Sequence, residues 1–257
     1  MRSLPWRIFD ALKAPPPDPQ RVQWLRSRVF AHRGLHGHGR VENSASAFAA
    51  AIAAGHGIEC DVRKSRDGRA IVFHDAELER LTGQTGPLDA LDVAAITAIA
   101  LRGSADRIPT LRDLLAQVNG AVPLLIEVKT DPARSVAALC LAVRRELEGY
   151  QGDHAVMSFD PRVCQWFRRL APHIVRGLVM TEENARTLSG RVRRHRQLWQ
   201  ARPDFLAYDV RDVPSAFAAT QRARGLPVLT WTVNSPALRQ RALDHADSPI
   251  AEGDGLA

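Results

Sequence analysis

The sequence predicts an α/β protein: a (β/α)8 barrel of one domain carrying a short N-terminal helical extension. Three observations predict it. Apolar strand-like runs alternate with helical patterns from about residue 28 onward, at the spacing of βα units rather than of an all-β protein. Eight such units fit within the 257 residues. Polar residues able to do chemistry follow directly on several of the apolar runs, which is where barrels and open α/β sheets hold their sites. A doubly wound open sheet is the runner-up, but it would want a Gly-rich turn after the first strand, and His32-Arg33-Gly34-Leu35 is not of the form G-x-G-x-x-G.

Taken in order, strands are expected at 28–32, at 57–62 with a hairpin-like return at 70–74 across Asp67-Gly68, and at 123–128, 154–159, 174–180, 205–209, 227–233 and 246–252. Helices are expected at 44–54, 89–100, 110–118, 133–147, 161–170, 183–200, 214–224 and 236–244. Start signals support several of these: Asn43-Ser44 before Ala45, Thr110 before Leu111, Asp131-Pro132 before Ala133, and Ser235-Pro236 before Ala237. Residues 1–24 read as an extension with Trp6, Ile8, Phe9 and Leu12 on an amphipathic turn and a Pro-rich linker, and residues 25–257 as the barrel. Because no final outer helix follows the last strand, the extension is expected to cover barrel surface that such a helix would hide.

The composition, 45% hydrophobic and 25% charged, is that of a globular protein able to bury a core without staples. Cys60, Cys140 and Cys164 have no CxxC spacing, so neither a zinc site nor a disulfide framework is expected. No secretory h-region and no transmembrane-length apolar run is present, which gives the expectation of a soluble, cytoplasmic protein without stable membrane insertion. Net charge is +7, but the one dense cluster, Arg191 to Arg196, lacks the interleaved aromatics that stack on bases. It reads as a solvated helix face, with weak attraction to anionic surfaces as the alternative, and no nucleic-acid partner is expected. Three lysines, Lys13, Lys64 and Lys129, occur against 35 basic residues in total, which makes Lys129 unusual in a chain that otherwise prefers arginine.

Glu59 and Asp61 are two residues apart, so on a strand both carboxylates point to one face. Glu127 and Lys129 repeat that spacing after another apolar run. Three carboxylates suit one hard divalent cation, Mg²⁺ or Ca²⁺, better than zinc, which prefers His and Cys. The bland alternative is that such acids cap helices or pair with arginines. Of the nine histidines, His32 and His74 each close an apolar run beside a charged residue, Arg33 and Asp75. Two imidazoles can serve as acid and base in one displacement, and a guanidinium fork matches a phosphate. The set points to an anionic substrate, a phosphodiester before others. Trp231 could present its ring to that substrate or simply pack in the core, and Phe159 is a second candidate wall.

In this order and spacing, His32-Arg33-Gly34, Glu42-Asn43-Ser44, Glu59-Cys60-Asp61, Ser65-Arg66-Asp67-Gly68, His74-Asp75, Glu127-Val128-Lys129 and Trp231-Thr232-Val233-Asn234 resemble the glycerophosphodiester phosphodiesterase family over residues 28–235. The resemblance implies a TIM barrel that hydrolyses glycerophosphodiesters to glycerol 3-phosphate and an alcohol. It implies His32 and His74 as the acid/base pair, Glu59, Asp61 and Glu127 as metal ligands, and Arg33 and Lys129 as phosphate clamps. It also implies a substrate hydroxyl as the first nucleophile. Val41 and Ser44 depart from the family's usual Pro and Thr, and the last strand is shortened around Pro249. The short stretch 81–108 leaves no room for a large lid, so tolerance toward several alcohol head groups is expected. Two other readings share these residues: a lysophospholipase D acting on membrane lysophospholipids, and a barrel that binds phosphometabolites without turnover.

Overall fold

The computed structural model describes residues 4–26, 28–183 and 185–256. In chain order the elements are α1 (Leu4–Lys13), α2 (Pro19–Val22), β1 (Phe30–Ala31), α3 (Ala45–Ala53), β2 (Gly57–Lys64), β3 (Ala70–Val72), α4 (Glu79–Thr82), α5 (Val93–Thr97), α6 (Leu111–Val118), β4 (Leu124–Val128), α7 (Ala137–Leu147), β5 (His154–Ser158), α8 (Pro161–Leu170), β6 (Val175–Met180), α9 (Leu188–Ala201), β7 (Phe205–Asp209), α10 (Ala216–Ala223), β8 (Val228–Val233), α11 (Pro236–His245) and β9 (Ser248–Ala251). β3 is the antiparallel return on β2, and the remaining eight strands with their crossover helices make the fold a (β/α)8 barrel.

The chain contacts divide it into two compact units, Phe30–His154 and a second made of Met1–Val29 with Ala155–Ala257. Within the first, β2 pairs in parallel with β1 and β4, in a register that sets Ala31 opposite Ile58 and Asp61 opposite Glu127. A local apolar cluster of Ile71, Phe73, Leu78, Leu88, Ile96 and Ile108 closes over the return strand. The helix expected at 89–100 is only Val93–Thr97, because the Asp92 carboxylate accepts the Ala95 N–H as an N-cap and chain before Asp92 turns as a 3₁₀ segment, Leu88–Ala90.

Within the second unit, β5 to β9 run parallel in sequence order, covering a core built around Phe205, Leu206, Tyr208 and Val228. Gly177 on β6 has a packing reason: a Cβ there would stand 2.2 Å from the Phe205 ring. Several caps agree with the sequence: Ser235 with Pro236 opens α11 and Thr110 forms a capping box with Asp113 at α6. Two do not. Ser44, not Asn43, caps α3, and Asp131 accepts the Ala133 N–H in a local turn, so α7 begins only at Ala137.

The N-terminal segment packs within the second unit. Helix α1 lies on α9, and Leu25 and Arg28 reach the last strand, the Ser248 hydroxyl donating to the Leu25 carbonyl and accepting from the Arg28 N–H. Asp10 is fully buried and accepts from His195 Nδ1 at 2.8 Å, Trp199 Nε1 at 2.8 Å and Gln221 Nε2 at 2.7 Å. Burial opposes its ionisation, but hydrogen bonds from His195, Gln221 and Trp199 outweigh burial and hold the carboxyl below its ordinary value. Asp10→Ala is expected to cost about 3–5 kcal/mol, since it strands three buried donors. Urea unfolding checks this. With the folded pKa below the unfolded one, this contribution is complete above the ordinary Asp range and is lost as pH falls through the depressed value.

Candidate active site

Of the residues singled out for the chemistry, all but the two candidate walls, Phe159 and Trp231, fall within Phe30–His154. β1 is short and ends in a turn at which Arg33 and Gly34 adopt φ of 54° and 77°. The Gly34 position needs its missing side chain, because a Cβ would stand 3.0 Å from Ala47 and Phe48 on α3. The turn aims the Arg33 N–H at Glu59 Oε2, 3.0 Å away, and brings His32 Nε2 to 3.9 Å from the same oxygen.

Strand alternation does the next part. Glu59 and Asp61 point to one face of β2 while Cys60 between them points to the other, where burial pushes its thiol up and keeps it inert. Register then adds Glu127 from β4. Among the described residues, one oxygen from each of Glu59, Asp61 and Glu127 lies within 4.8 Å of the others, and all three side chains are buried.

Cations surround this cluster. Lys129 Nζ donates to Glu127 Oε1 at 2.7 Å and lies 3.0 Å from Asp61 Oδ1, while Arg33 Nε lies 3.1 Å from Asp61 Oδ2. Asn43, at φ 56°, donates its amide to Asp61 Oδ2 at 3.0 Å, so it orients a carboxylate instead of capping a helix. Glu42 accepts from Arg33 Nη1 at 2.8 Å and from both terminal nitrogens of Arg80. Arg80 also donates to Asp75, which faces His74 Nδ1 at 2.6 Å. Arg63 Nε closes the chain by donating to the His74 carbonyl. Beside Lys129 opens a cavity of about 280 Å³.

The electrostatics separate three similar acids. Burial raises Asp61, but Lys129, Arg33 and His74 outweigh it and hold the carboxyl at about 2. For Glu59, burial and then the charges of Asp61 and Glu127 act together and push it well above the ordinary range. Glu127 is also pushed up by burial, despite its Lys129 contact. Burial lowers Lys129, yet Glu127 and Asp61 more than restore it, so the ammonium persists. His74 sits below the ordinary imidazole value because burial, joined by Lys129 and Arg33, exceeds the pull of Asp61 and Asp75.

Two oxygens decide whether this cluster fits a cation. Among the described residues, buried Glu59 Oε1 and Asp61 Oδ1 accept no hydrogen bond, the Lys129 ammonium lying 3.0 Å from the second outside hydrogen-bonding geometry. A buried carboxylate oxygen without a donor is costly unless something positive meets it. An all-oxygen donor set of this kind fits a hard divalent ion.

Trp231 and Phe159 belong to the other unit, where they pair edge to face with centroids 5.3 Å apart and Trp231 Nε1 donates to the Ala207 carbonyl. Arg80 and Arg63 were missed in the sequence, since a lone arginine in a chain with 35 basic residues carries no signal. Asn43 stands in the Asn43-Ser44 start signal, yet its amide serves Asp61 and Ser44 caps the helix.

A barrel with acids, imidazoles and cations gathered at strand ends is the frame of a phosphoric diester hydrolase. The sequence profile of the glycerophosphoryl diester phosphodiesterase family matches residues 32–248, and the chain belongs to that family of enzymes. Among curated relatives, "Probable glycerophosphodiester phosphodiesterase 2" of Mycobacterium tuberculosis is 31% identical over 239 residues, 87% of each chain. Among solved structures, the glycerophosphodiester phosphodiesterase of Thermotoga maritima aligns at TM-score 0.70 and 25% identity, covering 87% of this chain and 93% of that one. A phosphodiesterase of Oleispira antarctica, solved in complex with its product sn-glycerol-3-phosphate, shares the fold at TM-score 0.77 and 22% identity, covering 90% and 94%. Among the described residues, no helix is long and apolar enough to cross a membrane.

Proposed function

We propose that the chain hydrolyses glycerophosphodiesters to glycerol 3-phosphate and an alcohol, with His32 and His74 exchanging protons and Glu59, Asp61 and Glu127 holding one divalent cation, Mg²⁺ or Ca²⁺. The observation that carries this is the buried carboxylate trio with an oxygen left without a donor, set among the two imidazoles. That the Oleispira phosphodiesterase was captured with sn-glycerol-3-phosphate supports the same product here. A cation bound there supplies positive charge against the charge that develops on the phosphoryl oxygens.

The remaining roles fall to side chains. Lys129 and Arg33 keep their charge in a buried setting and are oriented by carboxylates, so each can hold a phosphate oxygen. Asp75 fixes the His74 ring through Nδ1, which leaves Nε2 to take or give a proton. A depressed imidazole is neutral at pH 7 and suits the base role, which leaves His32 to protonate the departing alkoxide. Trp231 and Phe159 would offer an apolar wall to glycerol or head group.

The test is to incubate the protein with glycerophosphocholine and glycerophosphoethanolamine plus Mg²⁺, Ca²⁺ or a chelator and to measure glycerol 3-phosphate. Product is expected with a metal and none with chelator. Absence of product under every condition would overturn the reading. Choline, ethanolamine, inositol and glycerol diesters are all expected to turn over, and strict selection of one would refute the open-site expectation.

A further inference from the structure

Helix α1 precedes the stretch that the family profile matches, and it is two-sided. Asp10, and Ala14 just past the end of the helix, turn inward and are buried, with Trp6 stacked on His195 at 4.4 Å. Ile8 and Leu12 turn outward and are 55% and 71% exposed, and Phe9, 49% exposed, lies at the edge of the same face with its ring 6.3 Å from Trp199. They are three of the seven large hydrophobic side chains exposed among the described residues, and Leu188, at the start of the α9 helix beneath, is a fourth. A helix whose inner face already packs has no folding reason to keep an apolar outer face.

The charge around this patch has one sign. Arg7 and Lys13 flank it on α1, and Arg191 and Arg196 are exposed on α9. Neither helix exposes an acidic side chain, since Asp10 is buried and α9 contains none. The same two helices wall a cavity of about 700 Å³. Its acids Glu182 and Asp212 are already paired with Arg194 and Arg186, while Arg7, Arg191 and Arg241 line it without an ion-pair partner among the described residues, so these three are open to phosphate oxygens.

We propose that the α1–α9 face docks this enzyme onto an anionic phospholipid bilayer, with Ile8, Phe9 and Leu12 entering the headgroup–acyl boundary and the arginines meeting lipid phosphates. Apolar residues on one side of a short helix, with cations and no acids beside them, are what an in-plane interfacial helix requires. Each basic residue near an anionic surface strengthens partition by about fivefold. This goes beyond the hydrolytic reading and stands or falls separately from it.

The full chain is sedimented with vesicles of phosphatidylglycerol mixed with phosphatidylcholine, and with phosphatidylcholine alone. Sedimentation is expected only with the anionic vesicles and should weaken as salt rises. The triple variant I8E/F9E/L12E should lose about a hundredfold or more in partition, while its thermal midpoint and its turnover of soluble glycerophosphocholine stay as in the parent. Because these side chains are exposed, a variant that fails to fold is recognised by those two controls, and I8S/F9S/L12S then replaces it. The proposal is overturned if the parent ignores anionic vesicles, if it binds neutral ones equally, or if the triple variant still sediments. It is also overturned if light scattering shows a dimer that the triple variant converts to monomer, which would assign the patch to a second copy.

Discussion

His74→Ala is expected to lower kcat on glycerophosphocholine by about 10²–10⁴-fold with the fold intact, the usual worth of one positioned acid or base. The side chain is 29% exposed and bears no core packing, so stability should hardly move. Its pH signature is more telling than its size. Burial and the neighbouring cations depress the imidazole, so a base at this position stays competent below the ordinary imidazole value, and the acidic limb of kcat/KM should lie below about 6.5. That limb should vanish in His74→Ala. Asp75→Asn keeps the ring but weakens its hold at Nδ1, so it should cost less than the alanine change. His32→Ala should be comparably damaging. The double variant should lose little beyond the worse single one, because groups that serve one displacement are not additive. A loss below about tenfold for His74→Ala would remove the residue from the proposed chemistry.

The barrel was legible because each strand is an apolar run with a polar stop, and eight of them recur along the chain. Expected strand bounds match within about two residues, from the Glu59-bearing strand to the last one, even though Pro249 sits inside β9. Proline is tolerated there since the strand is only four residues long. The 77–108 stretch was less legible. It builds a satellite core from Leu78, Leu88 and Ile96, and where the sequence predicts one helix over 89–100, Pro87 and Asp92 divide the backbone into a 3₁₀ turn and a helix of five residues.

The site was partly legible for a related reason. A two-residue spacing on a strand fixes the face, so Glu59 with Asp61 and Glu127 with Lys129 were placed together from spacing alone. Asn43 shows what spacing cannot carry. Next to a helix start, an Asn and a Ser are both natural caps, and only the positive φ at Asn43 turns its amide toward Asp61, 18 positions later. Arg80 reaches Glu42 and Asp75 across 38 and 5 positions from a helix of four residues, a geometry no local pattern announces.

Cation affinity is expected to rise with pH until Glu59 has ionised, and Glu59→Gln should abolish most of that rise while lowering affinity about a hundredfold or more. Without a cation, burial and the charges of Asp61 and Glu127 hold Glu59 well above the ordinary carboxylate range. Only the ionised form is a strong ligand for a hard cation, so binding must release a proton. The sign for stability follows from the same shift. A carboxyl whose folded pKa exceeds its unfolded one binds more protons when folded, so the metal-free protein should lose stability as pH rises from the ordinary Glu range toward the raised value. Asp61 acts oppositely but in a separate window, since its folded value of about 2 confines its effect to pH below the ordinary Asp range. Added Mg²⁺ or Ca²⁺ should therefore raise the thermal midpoint more at the upper end of this range than at the lower, and calorimetry in buffers of differing ionisation enthalpy should register proton release. The Gln variant keeps the shape of the side chain but neither its proton nor its charge, so its metal-free stability should decline less with pH than the parent's, the remaining decline belonging to Glu127. Proton release of equal size from parent and variant would assign the linkage to another group, Glu127 first, because burial raises that carboxyl as well.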